Sequence, residues 1–354
     1  MRLTELGWNP YFQSHFPDEE TNGCVPARVS EESKGFYHVL AEEGEFLAQI
    51  AGRVRYHAEE RSDFPFVGDW VAITTRPLEG RATIVAILPR RTILSRKMAG
   101  RAVDEQILAT NLDTVFIVTS LSQEFKLRRI ERYLALVWES GAQPVVLLNK
   151  ADLCPDASTV CAEVERVAPG ASVYSLSAAT GQGLESVRQY LDTGRTAAFI
   201  GSSGVGKSTI INALLGRSAQ RVQAVRLSDD RGKHTTTSRQ MTVLPSGGVM
   251  VDTPGMRELQ LWESDAGLAQ AFEDLEALAQ QCKFRDCRHR GEPSCVVAQA
   301  IEEGALARER LENYRKMEAE LRFLETKTDQ HARHAERERV KRLCKAQKLN
   351  LRKY

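Results

Sequence analysis

Residues 201–209 read GSSGVGKST, which matches the phosphate-binding pattern G-x-x-x-x-G-K-[ST]. Glycines in such a loop, here called the cradle, let successive backbone N–H groups point inward at phosphate oxygens. Residues 195–200 (RTAAFI) favour a short buried strand before the cradle, and residues 207–215 favour a helix whose N-terminus faces the anion. The stretch therefore predicts the strand, loop and helix of a nucleotide-binding α/β domain.

Every cradle residue is a candidate nucleotide contact, and two of them carry specific chemistry. The Lys207 ammonium is expected to reach the β- and γ-phosphates and assist catalysis, and the Ser208 hydroxyl to ligate Mg²⁺. The full candidate set is Gly201, Ser202, Ser203, Gly204, Val205, Gly206, Lys207, Ser208 and Thr209.

A second motif, NKAD at residues 149–152, comes before the cradle and follows the predicted buried strand 143–148. The Asp152 carboxylate can accept hydrogen bonds from N1–H and the exocyclic amine of guanine, whereas adenine offers neither donor there. Asn149, Lys150 and Ala151 complete the motif, and the Lys150 stem can lie across the base. In ordinary GTPases the cradle comes first, so this inverted order predicts a guanine-nucleotide site on a circularly permuted fold.

Two further motifs stand at the ends of predicted strands. SAATG (177–181) follows strand 171–176, and an N–H from its Ser177–Ala178 segment is expected to reach guanine O6. DTPG (252–255) follows strand 248–251. Its Asp252 is expected to hold the Mg²⁺ shell, and its Gly255 N–H to sense the γ-phosphate.

The segment between the cradle and DTPG contains GKHTTT at 232–237, a candidate switch loop. Thr236 is the threonine we favour for Mg²⁺ and the γ-phosphate.

Met256 follows DTPG, where many GTPases have a glutamine that orients the attacking water. His234 is the nearest candidate for that role. The alternatives are that His234 only packs or is solvated, and that a partner completes the site or intrinsic turnover is slow.

Four potential metal ligands, spaced C-x4-C-x-H-x5-C, lie close together: Cys282, Cys287, His289 and Cys295. Three thiolates and an imidazole suit a tetrahedral zinc ion with no open position, which makes a structural role more fitting than a catalytic one. A short polar loop buries little surface, so a metal would supply folding energy. A redox-active thiol set is the alternative.

Short strand-like runs alternate with turns over residues 23–90, with no convincing helix. The third run extends over residues 45–57. Five short strands in so few residues predict a small barrel such as an OB-fold. Such barrels bind oligonucleotides or serve as plain scaffolds.

NKAD, SAATG, GSSGVGKST, GKHTTT and DTPGM occur in that order, and with the cysteine cluster the chain resembles the RsgA family of small ribosomal subunit biogenesis GTPases. The resemblance covers nearly the whole chain, with no departure in the nucleotide motifs. It implies a multidomain α/β protein with an N-terminal OB-fold, a circularly permuted P-loop GTPase domain and a C-terminal helical zinc-binding domain. It also implies GTP hydrolysis, one zinc ion, Mg²⁺ with GTP, and the small subunit and its rRNA as partners.

The expected divisions are an N-terminal tether 1–22, the barrel 23–90, the GTPase domain 91–262, the zinc-binding domain 263–325 and a basic tail 326–354. Helices are expected near 264–281, 295–303 and 306–324. The tail has ten basic and three acidic side chains. It is a candidate RNA contact, or else a solvated helical face.

The composition is that of a soluble globular protein, with 354 residues, 42% hydrophobic and 27% charged. No run approaches about 18 apolar residues, and the N-terminus lacks a signal core. We therefore expect a cytoplasmic protein without membrane contact, and a monomer since no oligomerisation seam is apparent.

An RNA-binding scaffold locked by GTP is an alternative to the hydrolase. Asp152 disfavours an ATP-dependent kinase.

Overall fold

The computed structural model of the chain describes residues 1–16, 23–33, 35–97, 105–121, 125–216, 239–252 and 265–323. The predicted switch residues His234, Thr236, Gly255 and Met256 lie outside these ranges, as does the basic tail. The described strands form one eleven-stranded sheet and one two-stranded sheet. None of the described helices is long and apolar enough to cross a membrane.

Five strands of the large sheet close into a barrel. They are β1 (Val25–Ser33), β2 (Phe36–Ala41), β3 (Gly44–Ile50), β4 (Trp70–Arg76) and β5 (Arg81–Ile87). The pairings run β1–β2–β3–β5–β4 and return to β1. Alternate side chains of β2, namely Tyr37, Val39 and Ala41, fill the interior, as the period of a strand requires. This confirms the predicted closed barrel.

The prediction for the third strand of the barrel is wrong in part. The run 45–57 was expected to be strand throughout, yet β3 ends at Ile50 and helix α2 follows at Gly52–His57. The Ala51 N–H donates to the Ile84 carbonyl at 2.8 Å, the last bond to β5 before the turn. Beyond it, exposed Arg53, Arg55 and Tyr56 give the strand no apolar face to bury, so a short surface helix forms instead.

The other six strands of the large sheet form the nucleotide-binding domain. They are β8 (Thr114–Ser120), β9 (Gln143–Asn149), β10 (Ser172–Ser175), β11 (Thr196–Ile200), β12 (Gln240–Val243) and β13 (Val249–Asp252). Their spatial order is β10-β9-β8-β11-β13-β12, and only β12 is antiparallel. The strand that leads into the cradle, β11, is therefore central in the sheet although it comes fourth along the chain. Within the described residues, the strands of this sheet pair with those of the barrel at one position, Glu31 with Gln240.

Helices cover both faces of this sheet, and β11 shows the result directly. All five of its residues are buried. Ala198 and Ile200 face one apolar core, and Ala197 and Phe199 face the other. Burial on both faces is what a parallel sheet needs, and it explains the apolar runs in the sequence. The described helices of this domain are α3 (Leu127–Glu139), α4 (Ala157–Val167), α5 (Glu185–Arg188) and α6 (Lys207–Leu215).

The described part of the segment that links barrel and nucleotide-binding domain contains two strands. The charge of residues 90–101 (RRTILSRKMAGR) predicts a basic connector, but within this run β6 (Ile93–Lys97) pairs antiparallel with β7 (Glu105–Thr110). Leu94, Ile107 and Leu108 are buried. The apolar residues of this ribbon therefore outweigh its charge in deciding the local structure.

Among the described residues, four helices follow DTPG: α7 (Asp265–Ala271), α8 (Glu273–Ala279), α9 (Val296–Glu302) and α10 (308–323). The single helix expected over 264–281 is broken at Phe272, whose φ of −120° and ψ of 34° are not helical. The buried ring of Phe272 packs into the same core as α3, so the break lets two short helices follow that core. A Cβ on Gly267 would collide with the Ala135 carbonyl, which shows how closely α7 approaches α3.

The N-terminal residues form a short 3₁₀ turn, Leu3–Leu6, and the short helix α1, Pro10–Ser14. Trp8 and Phe12 pack on the buried Trp70, with ring centroids 4.8 and 5.7 Å away. These aromatic contacts hold the N-terminal segment against the barrel.

A buried arginine joins that segment, the barrel and the nucleotide-binding domain. Arg28 of β1 is 1% exposed, and burial lowers its pKa to about 10. Its guanidinium donates to the carbonyls of Leu6, Gly68 and Asn111 and to the Thr196 hydroxyl. Because Thr196 is the first residue of β11, the barrel is fixed to the base of the strand that carries the cradle.

Candidate nucleotide site and metal cluster

The cradle begins where β11 ends, and two of its glycines are required by their neighbours. Gly201 has φ of 139° and Gly206 has φ of 99°, both in the region that favours glycine. A Cβ on Gly201 would collide with the Val118 carbonyl of β8, and one on Gly206 would collide with the Asn149 side chain. The loop therefore lies tightly against β8 and the end of β9.

Lys207 is the first residue of α6, and its side chain turns back over the cradle. Its Nζ donates to the carbonyls of Gly201 and Ser202, both at 2.7 Å. Burial lowers the pKa of Lys207, and the nearby Asp252 carboxylate opposes that shift. The ammonium is thus held by weak neutral acceptors at the position where a bound phosphate would offer stronger charged ones.

Asn149 connects three of the predicted motifs. Its side chain is buried at 2% exposure. Its Nδ2 donates to the Val205 carbonyl of the cradle at 2.8 Å, and its Oδ1 accepts from the Ala178 N–H of SAATG at 3.0 Å. NKAD, SAATG and the cradle therefore meet at one place, as the sequence predicts. That one amide fastens all three together was not predicted.

The rest of NKAD is placed by the backbone. Lys150 adopts a left-handed conformation with φ of 64°, and a 3₁₀ turn follows at Ala151–Leu153. The Ala151 N–H donates to the Leu176 carbonyl at 3.0 Å, which sets this turn beside SAATG. Asp152 is exposed on that turn, so its carboxylate is accessible to a base.

SAATG forms a closed turn around the buried Ser177. The Ser177 N–H donates to the Gln182 carbonyl at 2.9 Å, and the Gly181 N–H donates to the Ser177 carbonyl at 2.9 Å. The Ala178 N–H already donates to Asn149, so guanine O6 would share this donor with the Asn149 amide.

The magnesium side of the site is represented by Ser208 and Asp252 within the described residues. Both are exposed, the first in the first turn of α6 and the second at the end of β13. A hydroxyl and a carboxylate are oxygen ligands of the kind Mg²⁺ takes beside phosphates, so the residues present fit that ion. The remaining predicted contributors, Thr236 and Gly255, lie outside the described ranges.

The predicted metal ligands converge. The ligand atoms of Cys282, Cys287, His289 and Cys295 all lie within 4.8 Å of one another. His289 Nδ1 is 3.6 Å from Cys282 Sγ and 3.4 Å from Cys295 Sγ, and those two sulfurs are 3.9 Å apart. In a tetrahedral site with metal–sulfur bonds of about 2.3 Å and metal–nitrogen bonds of about 2.0 Å, neighbouring ligand atoms lie about 3.5 to 3.8 Å apart. The cluster is therefore the right size for one metal ion.

The protonation chemistry of the cluster also suits a cation. Burial, together with Arg315, lowers the pKa of His289 and favours the neutral imidazole that a metal needs. Burial and the neighbouring thiols raise the pKa of Cys287 to about 11. Three thiolates this close repel one another, so the ionised set requires a compensating positive charge.

The loop around the cluster is anchored to α9 and α10. Cys295 caps α9, with its Sγ accepting from the Ala298 N–H at 3.4 Å. Arg315 of α10 donates to the carbonyls of Arg288 and His289 at 2.8 and 2.7 Å. These bonds tie the metal cluster to the C-terminal helices.

One contact at the cradle is indicated by no sequence motif. Arg129 of α3 donates to the Ser202 hydroxyl at 2.9 Å, although 73 residues separate them. No motif includes Arg129, so only the fold reveals the pair.

Comparison with known proteins agrees with this geometry. The RsgA GTPase family matches residues 87–262. A small ribosomal subunit biogenesis GTPase RsgA from Opitutus terrae is 44% identical, over 98% of this chain and 97% of that protein. The crystal structure of YjeQ from Thermotoga maritima is similar with a TM-score of 0.63 and 29% identity, covering 84% of this chain and 98% of that one. That of YloQ, a circularly permuted GTPase, has a TM-score of 0.62 and 25% identity, covering 87% and 98%. The chain therefore belongs to the RsgA family of circularly permuted GTPases, which are GTP hydrolases.

Proposed function

We propose that this chain binds the small ribosomal subunit late in its assembly, and that GTP hydrolysis stimulated by the subunit releases it. The observation that best supports a GTP site is the pair of hydrogen bonds of the Asn149 amide, which holds the base-reading motif against the cradle. The subunit is the partner named in the relatives' descriptions. Phosphate release under multiple turnover, with and without small subunits, tests the proposal and distinguishes a hydrolase from a scaffold locked by GTP.

The proposed reaction is in-line attack of water on the γ-phosphate. Lys207 would leave the Gly201 and Ser202 carbonyls for the β- and γ-phosphates, where it offsets developing charge together with the cradle N–H groups. Magnesium, when bound, neutralises charge on the phosphate oxygens. Ser208 and Thr236 would hold it, with Asp252 in its shell, and the Gly255 N–H would sense the γ-phosphate.

Guanine recognition would come from the NKAD and SAATG turns. Asp152 would accept from N1–H and the exocyclic amine, and the Lys150 stem would lie over the base. The accessible position of Asp152 beside SAATG supports this assignment.

His234 is the residue we propose to position the attacking water, since Met256 has no polar atom for that task. Replacing His234 with alanine is expected to lower kcat about 100-fold, with little change in KM for GTP, because a group acting on water leaves ground-state binding intact. Steady-state kinetics of His234→Ala check this. His38→Ala, which removes a barrel histidine bonded to Glu45 at 2.9 Å, is the matched control. Full turnover by His234→Ala would rule out the role.

We propose that the barrel and the loop that carries the metal cluster both contact rRNA. Four exposed basic residues surround the metal cluster: Lys283, Arg285, Arg288 and Arg290. Such a group suits phosphates of an RNA backbone. The basic tail 326–354 would add to this contact. We further propose that the protein works in the cytoplasm as a monomer.

We propose zinc as the resident ion of the cluster, in a structural role because four protein ligands leave no open position. Purified protein is expected to contain about one zinc per chain, and Cys295→Ser to lose most of it, because the cluster then keeps three ligands. Elemental analysis gives the ratio. Cys161→Ser, which alters a thiol outside the cluster, should leave it unchanged. A metal-free wild-type protein would contradict the assignment.

A further inference from the structure

Helix α3 lies between the cradle and the C-terminal helices, and its first two turns contact both. Arg129 donates to the Ser202 hydroxyl of the cradle at 2.9 Å. One turn further, Arg132 makes two bonds to Glu320 of α10, at 3.1 and 2.9 Å. The same short stretch of helix is therefore attached on both sides.

The attachment to the C-terminal helices is centred on a buried charge. Glu131 is fully buried, and its carboxylate accepts from Arg310 at 2.8 Å and Asn313 at 2.6 Å, both on α10. Arg310, itself 2% exposed, also donates to both oxygens of Asp274 of α8, at 2.8 and 2.6 Å. A buried charge is tolerated only when its partners are well placed, so this network allows α3 few alternative positions.

Arg129 is an unusual residue for its position. It lies in the first turn of α3, where the helix dipole disfavours positive charge. It pairs with no carboxylate among the described residues, and its guanidinium is directed to Ser202 instead. Among the described residues, it is the bond to Ser202 that offsets this unfavourable position.

The bond reaches the cradle at a sensitive point. The Ser202 carbonyl is one of the two acceptors that hold Lys207 Nζ, while the Ser202 side chain is held by Arg129. The neighbouring Gly201, Gly204 and Gly206 give the loop backbone freedom that such an external bond would restrict.

We infer that Arg129 is a positioning residue for nucleotide binding, which fixes the cradle at Ser202 from a helix that the C-terminal domain holds in place. It acts through the loop and is not assigned a contact with the nucleotide. The inference rests on the GTPase activity, and it does not depend on the ribosomal partner or on His234.

The test is the nucleotide affinity and steady-state kinetics of Arg129→Ala, Arg129→Lys, Ser202→Ala and the double variant. Arg129→Ala is expected to raise KM for GTP and the dissociation constant of a fluorescent GDP about tenfold, because a hydrogen bond from a charged group is lost. Arg129→Lys should recover part of this. Arg166→Ala, an exposed arginine of α4, should match wild type.

The double variant separates positioning from a general structural effect. If this bond holds the cradle, the double variant should lose little more nucleotide affinity than Ser202→Ala alone, because both substitutions remove the same contact. Unchanged affinity in Arg129→Ala, or effects that simply add, would overturn the inference. Should Arg129→Ala fold poorly, Ser202→Ala deletes the same bond with a smaller perturbation, and an unchanged affinity there would count equally against it. If the wild-type protein itself did not hydrolyse GTP, that result would count against the GTPase activity and not against the role of Arg129.

Discussion

Asp152→Asn is expected to lower kcat/KM for GTP by about 10⁴-fold and to raise the preference for xanthosine triphosphate. A carboxylate accepts from both donors of guanine, whereas an amide keeps one acceptor and places an N–H₂ group against the other donor. Sites built around such hydrogen bonds reject a mismatched partner by roughly this factor. Xanthine has a carbonyl where guanine has the amine, so it can accept from the new amide. Competition binding and turnover with both nucleotides measure the change.

Asp156→Asn is the matched control for this experiment. Asp156 is an exposed carboxylate four residues further on, just before α4, and its side chain makes no cap bond to that helix. It should leave nucleotide preference unchanged. If Asp152→Asn still preferred GTP as wild type does, or if ATP competed with GTP equally in wild type, the base-reading assignment would fail.

The cradle and the sheet around it could be predicted because their sequence signals are local and strict. A glycine-rich loop between an apolar run and a helix leaves few alternatives, and helix α6 begins and ends at the predicted Lys207 and Leu215. The strands before NKAD and SAATG are apolar because both faces of a parallel sheet are covered. The metal ligands could be named because thiols and an imidazole at short spacing have few other uses.

The parts that escaped prediction depend on contacts between distant residues. The break at Phe272 is set by the core that α3 and the C-terminal helices share, which no local pattern records. Arg28 would be expected on the surface, yet carbonyls from three separate segments make its burial tolerable. Arg129 has the same character, because its partner Ser202 is 73 residues away. In each case tertiary packing outweighs the local preference.

Small ribosomal subunits are expected to raise the GTP turnover of this protein by about 10³-fold or more. Met256 cannot orient water as a glutamine does, so the free enzyme lacks one part of the usual constellation. In other GTPases a partner that completes the site accelerates hydrolysis by this order. His234, in the segment between the cradle and DTPG, is the group we expect the subunit to hold against the attacking water.

The most direct measurement is phosphate release under multiple turnover, with a fixed amount of protein and increasing purified small subunits. Large subunits and the His234→Ala variant serve as controls. We predict slow hydrolysis of GTP alone, a rise of about 10³-fold that saturates with small subunits, and no comparable rise with large subunits or with ATP. Turnover that stays the same at saturating small subunits would contradict the proposal that this protein is a GTPase activated by that partner.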